Sequence, residues 1–247
     1  MIRALIIIAV ASFVLALGCF AGAAAFGGRE LAANGWVWPG KWNEYGIHIS
    51  DDGDVSASPS ATRDLTWTGG DTLDVDLAAD VLFAQGETAK VTVEGPQRLL
   101  DRVAIENGRL FVRDDGGDYI GGRDDKLRVT ITAPDVRKFI VNGSGDLRIE
   151  GYDQENLTIE VNGSGDVKVA GRAVRLATTI SGSGEADLEA LDIRDANVKV
   201  VGSGEVELRP TGAVQVAISG SGDVRLLSKP VSLVSEIDGS GEVHNAY

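Results

Sequence analysis

The residues of this chain best placed by type and spacing to do chemistry are carboxylates. Asp146, Asp166, Glu185, Glu205, Asp223 and Glu242 each close a Gly-Ser-Gly triplet, written NGSGD twice and then SGSGE, VGSGE, SGSGD and DGSGE. Regularly repeated carboxylates are the ligand type of hard cations, calcium above all. The serines inside the triplets, Ser144, Ser164, Ser183, Ser203, Ser221 and Ser240, supply hydroxyls. A serine becomes a nucleophile only beside a base, and no histidine recurs with these: the chain has only His48 and His244. Six copies of one catalytic group make no chemical sense, so the serines read as corner residues whose hydroxyls bond the backbone. The carboxylates read as solvated turn acids, partly offset by Arg148, Lys168 and Arg225 two positions on. Calcium on the acid column is the alternative, by likeness to glycine-rich nonapeptide repeats. The match is partial, because here nothing separates the second glycine from the acid and the motif comes once per coil. No other cofactor or metal is expected.

The elements that must position these residues follow from the spacing. Successive motif serines lie 20, 19, 20, 18 and 19 residues apart, the period of a solenoid. Two positions before the first glycine stand Val141, Val161, Ile180, Val200, Ile218 and Ile237; four before stand Phe139, Ile159, Thr178, Val198, Val216 and Ser235. Directly after the acid come Leu147, Val167, Ala186, Val206, Val224 and Val243, and two further on Ile149, Val169, Leu188, Leu208, Leu226 and Asn245. This alternation on both sides of a glycine corner predicts strands with one face inward. Each strand recurs one period later in the same direction, so neighbours are parallel. The fold class is therefore all-β, a single-stranded parallel β-helix of about 19 residues per rung, right-handed by the general rule for parallel crossovers. The structural corners are Gly143, Gly145, Gly163, Gly165, Gly182, Gly184, Gly202, Gly204, Gly220, Gly222, Gly239 and Gly241 with the six serines between them. Ser235 and Asn245 put polar residues in the last rung, where they would cap an open end. Residues 72–77, 81–84, 90–94, 109–113 and 126–132 also alternate but lack the triplet, and are expected to form broader starting coils. Residues 114–126, DDGGDYIGGRDDK, read as a long acidic loop. Its five aspartates, Asp114, Asp115, Asp118, Asp124 and Asp125, are more simply a solvated loop than a metal site.

Composition narrows the rest. Glycine is 32 of 247 residues and proline only 6, a profile of many tight turns rather than a disordered linker. The net charge of −14 works against nucleic acid as a partner. The one cysteine, Cys19, lies in an uncharged run over residues 4–26, so the remainder has no disulfide chemistry. That run reads as an export signal or, uncleaved, as a membrane anchor. Only Gly18 fits a lipidation motif around Cys19. Trp36, Trp38 and Trp42 follow it in a polar stretch. The expected organisation is a leader over residues 1–28, a polar spacer with the tryptophan cluster over 29–70 and a β-helix domain over 71–247. Within that domain, irregular coils occupy 71–138 and regular rungs 139–247.

The run LDVDLAADVLFAQG, then AKVTVEGPQRLLDRVAIENGRLFV, LRVTITAPDVRKFIVNGSGD and the serial SGSGD/E corners, resembles the bacterial DUF2807 family, the auto-transporter adhesin head, or GIN, domain, from about residue 70 to 247. The resemblance implies a parallel β-helix and an envelope location, and its label implies adhesion. It brings no catalytic residues. No C-terminal series of alternating ten-residue strands is present, so the chain is not expected to act as an autotransporter by itself. The function expected is a non-enzymatic, exported cell-envelope module, adhesin-like or scaffolding, located in the periplasm or envelope. Its partner would be an envelope protein or a glycan surface, with membrane contact through residues 4–26 if the leader stays. The alternatives are a periplasmic glycan-binding or polysaccharide-active protein and a calcium-stabilised rod.

Overall fold

In a computed structural model of the chain, which describes residues 60–113 and 126–247, the alternating segments are strands. Their order is β1 (Ser60–Leu65), β2 (Thr72–Asp76), β3 (Asp80–Gln85), β4 (Lys90–Pro96), a single turn of helix α1 (Gln97–Leu100), β5 (Val103–Glu106), β6 (Arg109–Val112), β7 (Arg128–Ala133) and β8 (Lys138–Gly143). Then follow β9 (Asp146–Gly163), β10 (Val167–Gly182), β11 (Glu185–Gly202), β12 (Glu205–Pro210), β13 (Ala213–Gly220), β14 (Asp223–Leu226), β15 (Ser232–Gly239) and β16 (Glu242–Asn245). The leader, the tryptophan cluster, His48 and the loop aspartates lie outside the described residues.

Two parallel ladders run the length of a β-solenoid. One, on the far side of each corner, stacks β7, β3, the start of β9, β10 and β11, then β12, β14 and β16. The other, leading into the corner, stacks β6, β2, β8, the ends of β9, β10 and β11, then β13 and β15. The three long strands belong to both because they bend around the coil and pair again beyond a register shift near Gly171. The apolar columns read from the sequence are the core. Val75, Val141, Val161, Ile180, Val200 and Ile218 are in register and no more than 2% exposed. Phe139 packs edge-on to Phe83, with ring centroids 4.9 Å apart, and to Tyr152 at 6.1 Å. Thr178 interrupts its column between Ile159 and Val198. It is buried, and its hydroxyl is the one buried side-chain polar atom among the described residues with no hydrogen-bond partner.

The coils do not stack in chain order at the start. Residues 77–80, LAAD, turn the corner between β2 and β3 with no Gly-Ser-Gly, and Asp80 falls in register with Asp146. β6 and β7, although later in the chain, lie beneath β2 and β3. The chain between β6 and β7 carries no Gly-Ser-Gly triplet either.

Two expectations change here. Residues 90–94 do not start a parallel coil: β4 runs antiparallel to β7, and β5 antiparallel to β6. The tail of the expected spacer is strand as well, because the alternation of ATRDL lets Ala61 and Leu65 pack on the core while β1 pairs antiparallel with β4. Pro96 ends β4, since proline has no N–H to continue a ladder. α1 then drops Leu99 and Leu100, 1% and 0% exposed, into the end of the stack. Arg63 ties β1 to this helix by donating to the Leu100 carbonyl at 2.6 Å. Among the described residues no helix is long and apolar enough to cross a membrane.

Candidate functional site

The corner glycines hold two different positions. The first of each triplet, Gly143, Gly163, Gly182, Gly202, Gly220 and Gly239, has φ between +89° and +138°, which side-chain-bearing residues rarely adopt. The second, Gly145, Gly165, Gly184, Gly204, Gly222 and Gly241, is buried under the neighbouring corner. A Cβ on Gly165 would lie 2.2 Å from the Gly145 carbonyl oxygen, and one on Gly241 2.1 Å from that of Gly222.

The serines are exposed, and their role differs from the expected one. Each contributes its backbone N–H: Ser164, Ser183, Ser203, Ser221 and Ser240 all donate at 2.8 Å to the first glycine of the previous corner. No hydroxyl of the six serines, Ser144 included, has a hydrogen-bond partner among the described residues.

The acids form one continuous column, Asp80, Asp146, Asp166, Glu185, Glu205, Asp223 and Glu242, with ~4.8 Å expected between neighbours. At Asp80, whose corner lacks the triplet, the Asp146 N–H goes to the Ala79 carbonyl at 3.0 Å, but in the Gly-Ser-Gly corners aspartate and glutamate behave differently. Asp146, Asp166 and Asp223 each accept the N–H of the acid one coil on, at 3.2, 3.1 and 2.9 Å. After Glu185 and Glu205 the equivalent N–H goes instead to a glycine carbonyl, Gly184 at 3.2 Å and Gly204 at 3.0 Å. The shorter side chain reaches the backbone and the longer one overshoots into solvent. Burial raises the Glu185 carboxyl above the usual carboxylate range, with Asp166, Glu205 and Asp187 adding repulsion and Lys168 opposing it. Asp187 is also partly buried, but a hydrogen bond from Lys168 and one from the Glu189 N–H hold its carboxyl below that range. Beside the column runs an open groove of about 600 Å³, in which Arg128, Arg148 and Lys168 alternate with the acids. Among the described residues no three histidine, cysteine or acidic side chains converge as they would around a metal ion.

A second recess lies on the remaining side of the coil, a notch of about 490 Å³ whose rim carries Arg172, Arg194 and Arg209 from β10, β11 and β12. Its floor includes the buried faces of Ala173 and Ile193, each 2% exposed. Arg194 is held by Asp195 at 2.9 Å and Arg209 by Glu189 at 2.6 Å. The Ala213 N–H and Arg194 keep the Asp195 carboxyl below its usual range. Arg172 has no ion pair or hydrogen bond among the described residues. Periodicity does not reveal this group, because the register shifts between Leu188 and Ile193 and spaces the three arginines unevenly. Asp80 was hidden for another reason: its corner lacks the triplet, although Val75 before it and Val81 after it keep the alternation.

Among curated proteins nothing matches the chain. Among solved structures it resembles one described as a putative adhesin from Bacteroides fragilis, with TM-score 0.63 and 20% identity over 76% of this chain and 97% of that one. It also resembles one described as a putative lipid binding protein from Parabacteroides distasonis, with TM-score 0.48 and 20% identity over 75% and 96%. The first likeness supports the fold alone. The family model DUF2807, described as "putative auto-transporter adhesin, head GIN domain", matches residues 71–230, and these include the first corner, the acidic segment and all but the last of the serial triplets. The chain belongs to the DUF2807 family.

Proposed function

We propose that the chain is a non-enzymatic cell-envelope rod, adhesin-like or scaffolding, whose flanks bind a repetitive partner. The observation that carries this is the way outward charges are taken up from coil to coil. Arg175 pairs with Glu155 at 2.6 Å, Arg209 with Glu189 at 2.6 Å and Lys138 with Glu160 at 2.9 Å, each one layer apart. Functional groups are spread along the axis, one per layer, where catalysis asks for a nucleophile, a base and a stabiliser converging on one point. Family membership supports an exported or cell-surface place. Tethering to the inner membrane through residues 4–26 is part of the proposal, and mass spectrometry of the mature amino terminus tests it.

Purified protein is expected to capture a partner from envelope extract or bind intact cell surfaces. Failure to bind any cell surface, glycan or envelope protein overturns the role, and turnover in a glycan-degradation screen overturns its non-enzymatic character. For the calcium alternative, melting in EGTA and in excess calcium is expected to give one midpoint, because three aspartates of the column, Asp146, Asp166 and Asp223, already serve the backbone.

A further inference from the structure

We infer that the arginine notch binds the carboxylate of an acidic polysaccharide, a glycan built with uronate residues. This rests on the binding-module reading above and assigns it a ligand class. The chain carries a net charge of −14, yet three arginines from consecutive layers of the stack line this one recess. Two are anchored by carboxylates, Arg194 by the adjacent Asp195 and Arg209 by Glu189 one coil away. Arg172, between them and β9, is exposed and unpaired among the described residues, although register places Asp153 and Asp192 on either side of it. A guanidinium has five N–H donors in a planar fork that matches a carboxylate, so Arg172 can take one bidentately while an anchored arginine still has donors to spare.

The recess is open and lies within the size range of small-ligand sites, about 300–1,000 Å³. Val174, half-buried on the same lining, offers an apolar contact to the C–H face of a pyranose ring. Asp192, also on the lining, accepts from sugar hydroxyls. From β10 to β12 the arginines span two layer spacings, ~9.6 Å along the axis. A polymer lying along the rod therefore meets positive charge over a length greater than one layer. Fixed acids at the same rim disfavour a fully charged sulfate or phosphate cluster, which would face them without hydroxyls to share.

The test is calorimetric titration of the full chain with an oligogalacturonate and with the same oligomer after reduction of its carboxylates to alcohols. The uronate form is expected to bind and the reduced form not. Arg172→Gln is expected to weaken binding about tenfold or more, and it breaks no ion pair, so its melting point stays that of the parent. Arg172→Lys keeps the charge, loses the fork and falls between. Lys199→Gln, at an exposed position outside the notch, leaves binding unchanged. Equal binding by Arg172→Gln, or by the reduced oligomer, overturns the inference. So does binding as tight to a sulfated oligosaccharide or to anionic phospholipid vesicles, which would make the notch a general anion patch. Absence of uronate binding in a protein that still captures envelope material removes this ligand and leaves the binding role standing. Cleavage of the bound oligomer would keep the site and overturn the non-enzymatic reading.

Discussion

At one end of the stack Leu99 and Leu100 are shut in beneath α1, with β1, β4 and β5 laid antiparallel across the last parallel strands. At the other end Ile237, in the same inward column as Val200 and Ile218, stands 42% exposed, and Leu233, in register with the buried Val214, is only half-buried. A parallel coil cannot close its own core, since every inward side chain needs a layer on both sides and every backbone edge needs a partner. The first end meets this by leaving the repeat: the chain reverses direction, inserts a proline and turns a helix. The last coil keeps the repeat and changes composition, with Ser235 opposite Val216 and Asn245 opposite Leu226. Closing a stack with apolar contacts takes irregular chain; softening it with polar substitutions takes only two positions and leaves Ile237 uncovered.

The largest expected difference between the ends follows directly. Leu100→Ala should cost about 2–5 kcal/mol, as buried leucine truncations do, while Ile237→Ala should cost less than about 1 kcal/mol, having little burial to lose. Urea unfolding of both variants checks this, and equal losses would mean that something covers the last coil in solution. Next in size is a comparison within the motif. An alanine at Gly182 would set its Cβ 2.2 Å from the Gly163 carbonyl, with another corner above it at Gly202. Positive φ and overpacking together suggest about 2–4 kcal/mol. Gly239→Ala makes the same clash, 2.1 Å from the Gly220 carbonyl, but no described coil lies beyond it, so the layer can move away at a fraction of that cost. Smaller again is Thr178→Val. Removing a buried hydroxyl without a partner and matching the flanking Ile159 and Val198 should stabilise by about 1 kcal/mol, whereas Ser235→Val in the exposed layer of that column should change stability by less than about 0.5 kcal/mol. Thermal melts of the pair separate the two.

How much of this was legible in the sequence tracks the same division. Where each coil repeats its neighbour, one alignment of the motif serines put Val141, Ile180 and Ile218 in one column and the acids in another, because register in a parallel stack is the sequence period itself. At the start that logic fails. β6 and β7 come after β2 and β3 in the chain but lie beneath them, and no local pattern records an order in space that reverses order in sequence. The antiparallel β4 carries the same alternation as a parallel strand would; direction is set by the partner. In the site, the acid column was readable as a column, but the split in the triplet corners between aspartates that serve the backbone and glutamates that do not rests on a single methylene meeting a fixed corner geometry. The arginine notch was not readable, since the bulge before Ile193 breaks the spacing that would have aligned its members.

The smallest expected effect concerns charge rather than packing, and it again sets the interior against the last coil. Glu185 sits between Asp166 and Glu205 with Asp187 nearby, and burial and these neighbours raise its carboxyl above the usual range. An acid whose proton is held more tightly when folded makes the folded state bind more protons across the window between the two pKa values, so stability falls as pH rises through it. The penalty is complete above the folded value and absent below the unfolded one, ~4.3 for glutamate. Glu185→Gln should therefore raise the melting point at pH 7, by a gain that solvent screening keeps below about 0.5 kcal/mol, and the gain should vanish as pH drops below 4. Glu242 has an acid in register on one side only, Asp223, and lies 3.6 Å from His244 Nε2, so its amide variant relieves less repulsion and should gain less at pH 7. A gain at Glu242 equal to that at Glu185 would show that total charge, and not the stacking of acids from both sides, sets the cost.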